Sequence, residues 1–177
     1  MSTYKMFFAG SGGQGILLMG QMVANAAMLE DKSTTFFPSY GPEMRGGTAN
    51  CTVVVSEKPI SCPIIFESDC VVAMNLPSLL KFEKTLKPGG LLLVNSSITH
   101  QKAKRSDITV LEIPANELAI ELGNPVVANM IMLGAFTRAS KIISGETLEK
   151  VIHSTFAEKK AALIDINIEA FNHWRSL

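Results

Sequence analysis

The stretch Ala9-Gly10-Ser11-Gly12-Gly13-Gln14-Gly15-Ile16-Leu17 follows an apolar run at residues 4–9 and leads into a helical pattern. Glycines at 10, 12, 13 and 15 suit backbone that turns sharply and then approaches a neighbour closely, because a missing Cβ permits positive φ and leaves room against the main chain. A loop of this kind at the start of a helix aims unpaired N–H groups and the positive end of the helix dipole outward, a ready place for phosphate or carboxylate. The same residues also suit a tight strand-to-helix turn that binds nothing.

The remainder of the chain fits around this loop. Residues 4–9 read as a buried strand, and residues 13–29 as a helix. Ile16, Val23 and Ala27 share a face of that helix with Gly20, and Leu17, Ala24 and Met28 lie beside them. Residues 33–37 read as a second strand ended by Pro38, so the first third is a β–loop–α–β unit and a parallel sheet is the natural expectation. A loop follows over Pro38-Ser39-Tyr40-Gly41-Pro42-Glu43-Met44-Arg45-Gly46-Gly47. Residues 49–56 are a strand, and residues 60–65 are a short partner for it, making a hairpin and a mixed sheet. Residues 70–74 form a buried strand, and Asn75-Leu76-Pro77-Ser78 opens a helix with proline in its first turn. Lys87-Pro88-Gly89-Gly90 breaks that helix, and strands follow at 91–94 and 108–113. Helices are expected at 115–122, 126–142, 147–156 and 163–174, with breaks at Gly123-Asn124-Pro125 and Ser144-Gly145. The expectation is a single domain over 1–177: a Rossmann-like α/β fold with a mixed, mostly parallel sheet flanked by helices and a helical C-terminal third.

Composition narrows the function classes. Sixteen basic and sixteen acidic residues cancel, and the one basic cluster, Lys102-Ala103-Lys104-Arg105, is short and reads as a solvated loop. Nucleic acid is not an expected partner. The near-apolar run at 126–136 is too short to span a bilayer, and Met1 leads almost directly into the first strand. Membrane association is therefore not expected. Cys51, Cys62 and Cys70 lack CxxC spacing, and His100, His153 and His173 are scattered. This argues against a disulfide framework, a zinc site or a cluster held by this chain, and suits a cytoplasmic protein. A low charge content of 18% suggests a surface partly covered by other chains.

Gly10-x-Gly12-x-x-Gly15 satisfies the dinucleotide fingerprint in its proper context. The acidic residue that holds the adenosine ribose at the end of the second strand is missing. Glu30 and Asp31 precede that strand, and Glu43 lies beyond it. The phosphate-cradling property depends on backbone and survives that loss. Ligands of open α/β sheets sit outside the carboxyl ends of the strands. Four features are expected at that edge: the glycine loop, residues 39–47, Met74-Asn75, and Val94-Asn95-Ser96. They would bring together backbone N–H groups, the Arg45 guanidinium and two carboxamides, suited to a phosphorylated ligand. The candidate binding residues are Gly10, Gly12, Gly13, Gln14, Gly15, Tyr40, Glu43, Arg45, Gly46, Asn75 and Asn95. A Glu43–Arg45 salt bridge competes with a role for Glu43, and Asn75 and Asn95 also suit caps of the segments after them. No nucleophile or acid–base pair stands out, so no catalytic residue is expected and the chain reads as a binder.

These motifs together resemble the gamma subunit of 2-oxoacid:ferredoxin oxidoreductases and the equivalent domain of pyruvate:ferredoxin oxidoreductase. The resemblance rests on Gly10-Ser11-Gly12-Gly13-Gln14-Gly15, residues 39–47, Lys87-Pro88-Gly89-Gly90 with Asn95-Ser96-Ser97, Pro114-Ala115-Asn116, Gly123-Asn124-Pro125 and Ala128-Asn129-Met130. It runs over essentially the whole chain. It implies a complex that decarboxylates a 2-oxoacid on thiamine diphosphate with magnesium, passes electrons through iron–sulfur clusters to ferredoxin, and transfers the acyl group to coenzyme A. Thiamine diphosphate, magnesium and clusters would belong to thiamine-binding, 2-oxoacid-binding and iron–sulfur partner subunits. This chain would contribute coenzyme A binding and assembly, and 2-oxoglutarate is the implied acid, ahead of branched-chain acids and pyruvate. The competing expectations are an assembly subunit without ligand and a free-standing NAD-binding module.

Overall fold

Alternation along the first strand divides the molecule in two, since successive side chains of a strand point to opposite faces. Met6 and Phe8 join one apolar cluster, while Phe7 and Ala9 join another. The structure, a computed structural model, describes residues 3–40, 47–157 and 163–175. Its strands are β1 Tyr4–Ser11, β2 Ser33–Tyr40, β3 Thr48–Ser56, β4 Ser68–Ala73, β5 Leu86–Asn95 and β6 Thr109–Ile113. Its helices are α1 Ile16–Leu29, α2 Leu76–Phe82, α3 Ala115–Glu121, α4 Ala128–Ser140, α5 Gly145–Ala157 and α6 Ile164–Arg175. Short 3-10 turns follow α2 and precede α4.

The six strands lie in the order β2-β3-β1-β4-β5-β6. β1, β4, β5 and β6 are parallel neighbours, and β3 is antiparallel to both β1 and β2. The sheet is therefore mixed, as expected, but by a different arrangement. The first two strands run parallel, as a β–loop–α–β unit implies, but β3 lies between them and is antiparallel to both. The expected hairpin strand at residues 60–65 does not form; Ile60 and Ile65 instead pack over the sheet face that carries Phe7. Pro38 does not end its strand. β2 is an edge strand and continues to Tyr40, and a sheet edge is where a residue without an N–H is tolerated. Lys87-Pro88-Gly89-Gly90 likewise belongs to β5, as the irregularity between the pairs Ser68–Leu86 and Cys70–Leu91. Gly89 takes φ 76 there.

The two faces are covered unequally. α1, α3, α4, α5 and α6 all contribute to the cluster containing Met6 and Phe8, whereas α2 is the helix on the other face. α1 begins at Ile16 rather than Gly13 and buries Met19, Gly20, Met22 and Val23 as well as Ile16 and Ala27. Met28, expected beside that face, is 57% exposed. A Cβ on Gly20 would overlap Cys51 Sγ of β3, so this glycine sets how closely α1 lies on the sheet. Burial pushes the Cys51 thiol up to about 12 and raises that of Cys70 as well, which leaves both as packing groups rather than nucleophiles.

α4 carries most of the near-apolar run at 126–136. Every residue from Ala128 to Thr137 is buried within this chain. Phe136 meets Phe8 edge-on with ring centroids 5.5 Å apart, a pairing that adds about 0.5–1.5 kcal/mol to the area it buries. α6 serves the same core: Phe171 is fully buried, and Ile168 packs against the cluster. α4 and α6 cross at Gly134, where a Cβ would overlap the Phe171 carbonyl oxygen. That obstacle is backbone and cannot swing aside. Gly134→Ala should therefore lower stability by about 1–3 kcal/mol, the usual range for overpacking, read as a lower urea midpoint with an unchanged slope.

The C-terminal end of α1 is tied to α5 by a carboxylate. Glu30 accepts from Lys32 Nζ at 2.7 Å and from the Ser144 N–H at 2.8 Å, and Lys32 also donates to the Ile142 carbonyl. Burial pushes the Glu30 carboxyl up, but its bonds to Lys32, Ser144 and Thr147 outweigh this and hold it at about 2, against an ordinary 4.5. A depressed carboxyl contributes fully above its ordinary value, and its contribution disappears as pH falls through the folded value. Glu30→Gln should cost about 1–2 kcal/mol at neutral pH after allowance for solvent screening. The gap between wild type and variant should close on acidification from pH about 5 to about 2, followed by urea melts at each pH.

Candidate functional site

The sheet topology brings the carboxyl ends of β1, β2, β4, β5 and β6, and the start of β3, to one edge. The glycine loop sits near the middle of that edge and is braced from within. Gln14 Oε1 accepts from the Ser11 N–H at 2.7 Å, and the Gln14 N–H donates to the Ser11 carbonyl at 3.2 Å. The Gly12 N–H donates to the Gly47 carbonyl at 3.0 Å, joining the loop to the start of β3. Gly13 and Gly15 have φ of 93 and 72, conformations that L side chains rarely adopt. A Cβ on Gly10 would overlap Gln14 Oε1, Ile16 and Met74, and one on Gly15 would overlap the Asn129 side chain; Gly13 faces open space. Among the described residues the Gly13 and Gly15 N–H groups have no backbone acceptor. α1 starts at a glycine and so without a side-chain cap, and among the described residues no hydroxyl or carboxylate takes up its first-turn N–H groups.

Asn75 and Asn95 reach the edge in different ways. Asn75 Oδ1 caps α2 through the Ser78 N–H at 2.9 Å, while its Nδ2 donates to Ser11 Oγ at 2.7 Å. The cap and the loop contact therefore coexist in one side chain. Asn95 is fully buried at the end of β5 and does not meet the glycine loop; its Nδ2 donates to Asn116 Oδ1 at 2.7 Å. Asn95 Oδ1 has no hydrogen-bond partner among the described residues. Tyr40 ends β2 and pairs with Ala49, next but one to Gly47, so Tyr40 and Gly47 both lie at the glycine-loop edge. Glu43, Arg45 and Gly46 lie outside the described residues.

Two cavities flank the loop. A cavity of about 380 Å³ lies toward β3, lined by Ser11, Gly12, Ile16, Leu17, Gly47 and Thr48 among others, and its wall is mainly apolar. A second, of about 240 Å³, lies toward β4 and α4, with Gly13, Gln14, Met74, Asn116, Val126 and Asn129 on its wall. Asn116 and Asn129 were not among the expected site residues. Both stand in the opening turn of a helix after a proline-containing break. An asparagine that opens a helix reads in a sequence as a cap, which hides any second use. Among the described residues no group of three or more His, Cys, Asp or Glu side chains is placed to hold a metal ion, and no helix is long and apolar enough to cross a membrane.

Residues 5–176 match the family model of pyruvate ferredoxin/flavodoxin oxidoreductase. The chain belongs to this family. Gamma-type members match it over most of both lengths. The gamma subunit of a keto/oxoacid ferredoxin oxidoreductase from Geobacter sulfurreducens superposes with a TM-score of 0.82 at 29% identity, covering 98% of this chain and 96% of that one. The 2-oxoglutarate synthase subunit KorC of Methanocaldococcus jannaschii is 40% identical over 147 residues, 81% of this chain and 79% of KorC. The ketoisovalerate oxidoreductase subunit VorA of Methanothermobacter marburgensis is 38% identical over 168 residues, 93% of this chain but 34% of VorA. The chain thus spans about a third of the length of that relative. The same fold, at 24% identity and a TM-score of 0.90, forms 31% of a chain of the 2-oxoglutarate:ferredoxin oxidoreductase of Magnetococcus marinus, a structure with 2-oxoglutarate, coenzyme A and succinyl-CoA bound.

The loop glycines of this family member separate two effects that a substitution confounds elsewhere. Gly13→Ala meets only the strain of positive φ and should cost about 1 kcal/mol. Gly15→Ala adds overlap with the buried Asn129 side chain and should cost about 2–4 kcal/mol. Chemical denaturation of the two variants should show Gly15→Ala as clearly the less stable.

Proposed function

We propose that this chain is the gamma subunit of a 2-oxoacid:ferredoxin oxidoreductase complex, that its glycine-loop edge binds coenzyme A, and that the acid oxidised is 2-oxoglutarate. The observation that carries this reading is the combination of a gamma-type match over most of the chain with an edge rich in donors and lacking a ribose-binding acid. Coenzyme A presents a diphosphate, a further phosphate, an adenine and an amide-containing arm. Unpaired loop N–H groups fit the phosphates, and the mainly apolar cavity beside Ile16 and Leu17 fits the flatter or less polar parts. The candidate contacts remain Gly10, Gly12, Gly13, Gln14 and Gly15 with Tyr40, Glu43, Arg45 and Gly46 from the adjoining segment, Asn75 through its hold on Ser11, and Asn95 through Asn116.

The reaction needs groups that this chain does not provide. Decarboxylation would take place on thiamine diphosphate with magnesium in a partner subunit. Electrons would leave through partner iron–sulfur clusters to ferredoxin, and the acyl group would pass to the thiol of coenzyme A. The contribution of this chain is to position that thiol carrier and to hold subunits together. Val126, 80% exposed on the rim of the smaller cavity, is an apolar contact point suited to a neighbouring subunit. The choice of 2-oxoglutarate follows KorC, which matches at 40% identity over most of both chains.

Purification of the chain from its native cells under mild conditions should bring with it a thiamine-diphosphate subunit and a cluster-bearing subunit. The preparation should reduce ferredoxin only when 2-oxoglutarate and coenzyme A are both supplied. Recovery of the chain alone, binding NADH and not coenzyme A, would overturn the proposal. Turnover of ketoisovalerate in preference to 2-oxoglutarate would overturn the substrate and leave the complex.

A further inference from the structure

β2 is an edge of the sheet, and among the described residues no strand pairs with its outer side. The direction of its main-chain groups follows from β1. The Ala9 carbonyl accepts from the Met74 N–H on the β4 side, and main-chain groups of successive strand residues point to alternate sides. Phe8 therefore bonds to its β3 partner Cys51, so Cys51 faces β1 and Pro38, opposite Cys51, faces away from the sheet. By the same alternation the N–H and C=O groups of Thr34 and Phe36 point outward, while those of Thr35 and Phe37 bond to β3.

An open edge is a template for another strand, and native chains commonly blunt it with charge. The eight residues of β2, Ser-Thr-Thr-Phe-Phe-Pro-Ser-Tyr, carry none. Lys32, which precedes them, is engaged by Glu30 at 2.7 Å. Thr34 Oγ1 and Thr35 Oγ1 have no hydrogen-bond partner among the described residues. Apolar surface borders the edge on both faces. Phe37, 51% exposed, shares the face of Thr35 and Val54, and Met28 and Leu29 stand exposed at the end of α1, the helix that covers the other face.

Pro38 is the one blunting device, and it selects a register. Thr35 can be set opposite Thr35 of a second, antiparallel copy. Thr34 then faces Phe36 of the copy and Phe36 faces Thr34, two bonded pairs that carry four main-chain hydrogen bonds. Pro38 falls opposite Lys32 of the copy, whose N–H is already given to the Ala27 carbonyl at 3.0 Å, so the missing donor breaks no ladder. Twofold registers centred on Phe36 or Phe37 instead oppose Pro38 to Thr34 or Phe36 and lose a bond on each side. Charge points to the same occupant. A twofold sets the strand against itself, so any charge near the axis would meet its like, and this strand has none to oppose.

We propose that the outer edge of β2 joins a second copy of this chain about a twofold axis at Thr35, making one continuous sheet of the two. The Thr35 side chains then stand face to face, a pairing in which threonine hydroxyls bond across antiparallel strands. Phe37 of each copy lies opposite Ser33 of the other, beside the Thr35 pair, and its exposed ring is covered there.

The test uses the full chain in a Cys62→Ser background, which removes the exposed native thiol. Under mild oxidation Thr35→Cys should give a covalent dimer on a non-reducing gel, because the narrow pair at the axis sets its Cα atoms about 4.5 Å apart, within disulfide range. Ser33→Cys should stay monomeric on the gel, since the two copies of that position lie about 13 Å apart along the strands. In sedimentation the parent chain should be a dimer that dissociates on dilution. Thr34→Pro removes an outward N–H without touching a bond to β3, so it should weaken the dimer about tenfold with an unchanged circular dichroism spectrum. Thr35→Lys, which sets like charges against each other at the axis, should weaken it as well. A parent chain that is monomeric at every concentration, a Thr35→Cys chain that does not cross-link, or a Ser33→Cys chain that cross-links equally well overturns the proposal. Protection of the Thr34 and Phe36 amides from hydrogen exchange only when other subunits are bound gives the edge to a different chain and overturns it too.

Discussion

The contact of Gly15 with Asn129 is the constraint on which the glycine-loop edge depends. Gly15 ends the loop in a left-handed conformation and starts α1, and the space its Cβ would fill is taken by a side chain from the first turn of α4. Two helices from opposite ends of the chain are thereby brought start to start at the carboxyl edge of the sheet. Because α4 is buried from Ala128 to Thr137 and Phe136 is packed on Phe8 of β1, its position is set by the core rather than by the loop. The loop conforms to the helix, and its glycines are the residues that allow it. This inverts the usual account of a glycine loop as a shape made for a ligand alone.

Much of this was legible in the sequence. Strong apolar patterning placed all six strands and all six helices, because burial on a sheet face or helix stripe leaves a pattern that survives without a structure. Boundaries beside proline and glycine were less legible. Pro38 stays within β2 because that strand is an edge, and Pro88 with Gly89 and Gly90 form an irregular part of β5. Whether a strand is central or at an edge is a property of the sheet, and local residues do not encode it. Residues 60–65 have the composition of a strand but cover the sheet face that α2 leaves open, packing Ile65 with no ladder partner. Apolar content marked the burial correctly, and only the manner of burial differed.

The site was legible where backbone chemistry dictates residue type and hidden where a side chain serves two partners. Gly10, Gly13 and Gly15 are required by conformation or close approach, so their clustering is informative. Asn75 both caps α2 and holds Ser11, and the sequence showed the cap as one alternative. Asn95 was expected beside the glycine loop and instead meets Asn116, because β4 lies between β5 and β1. Asn116 and Asn129 stood in the motifs that carry the family resemblance, yet their neighbours gave no hint that three amides share one cavity. That convergence joins residues more than a hundred positions apart and exists only in the fold.

The position of β3 also accounts for the missing acid. In a dinucleotide-binding sheet the second strand lies beside the first, and its terminal carboxylate reaches the ribose of a ligand seated on the glycine loop. Here antiparallel β3 occupies that place and β2 is one strand further out. At about 4.8 Å per strand, the end of β2 is displaced to roughly 10 Å from β1. A carboxylate there would be too distant for the same hydrogen bonds, and none is needed. The fingerprint and the acid form one device only when their strands are adjacent. With β3 between them, the glycine loop keeps its outward N–H groups, is not joined by a ribose-reaching second strand, and finds its polar neighbours on the α4 side.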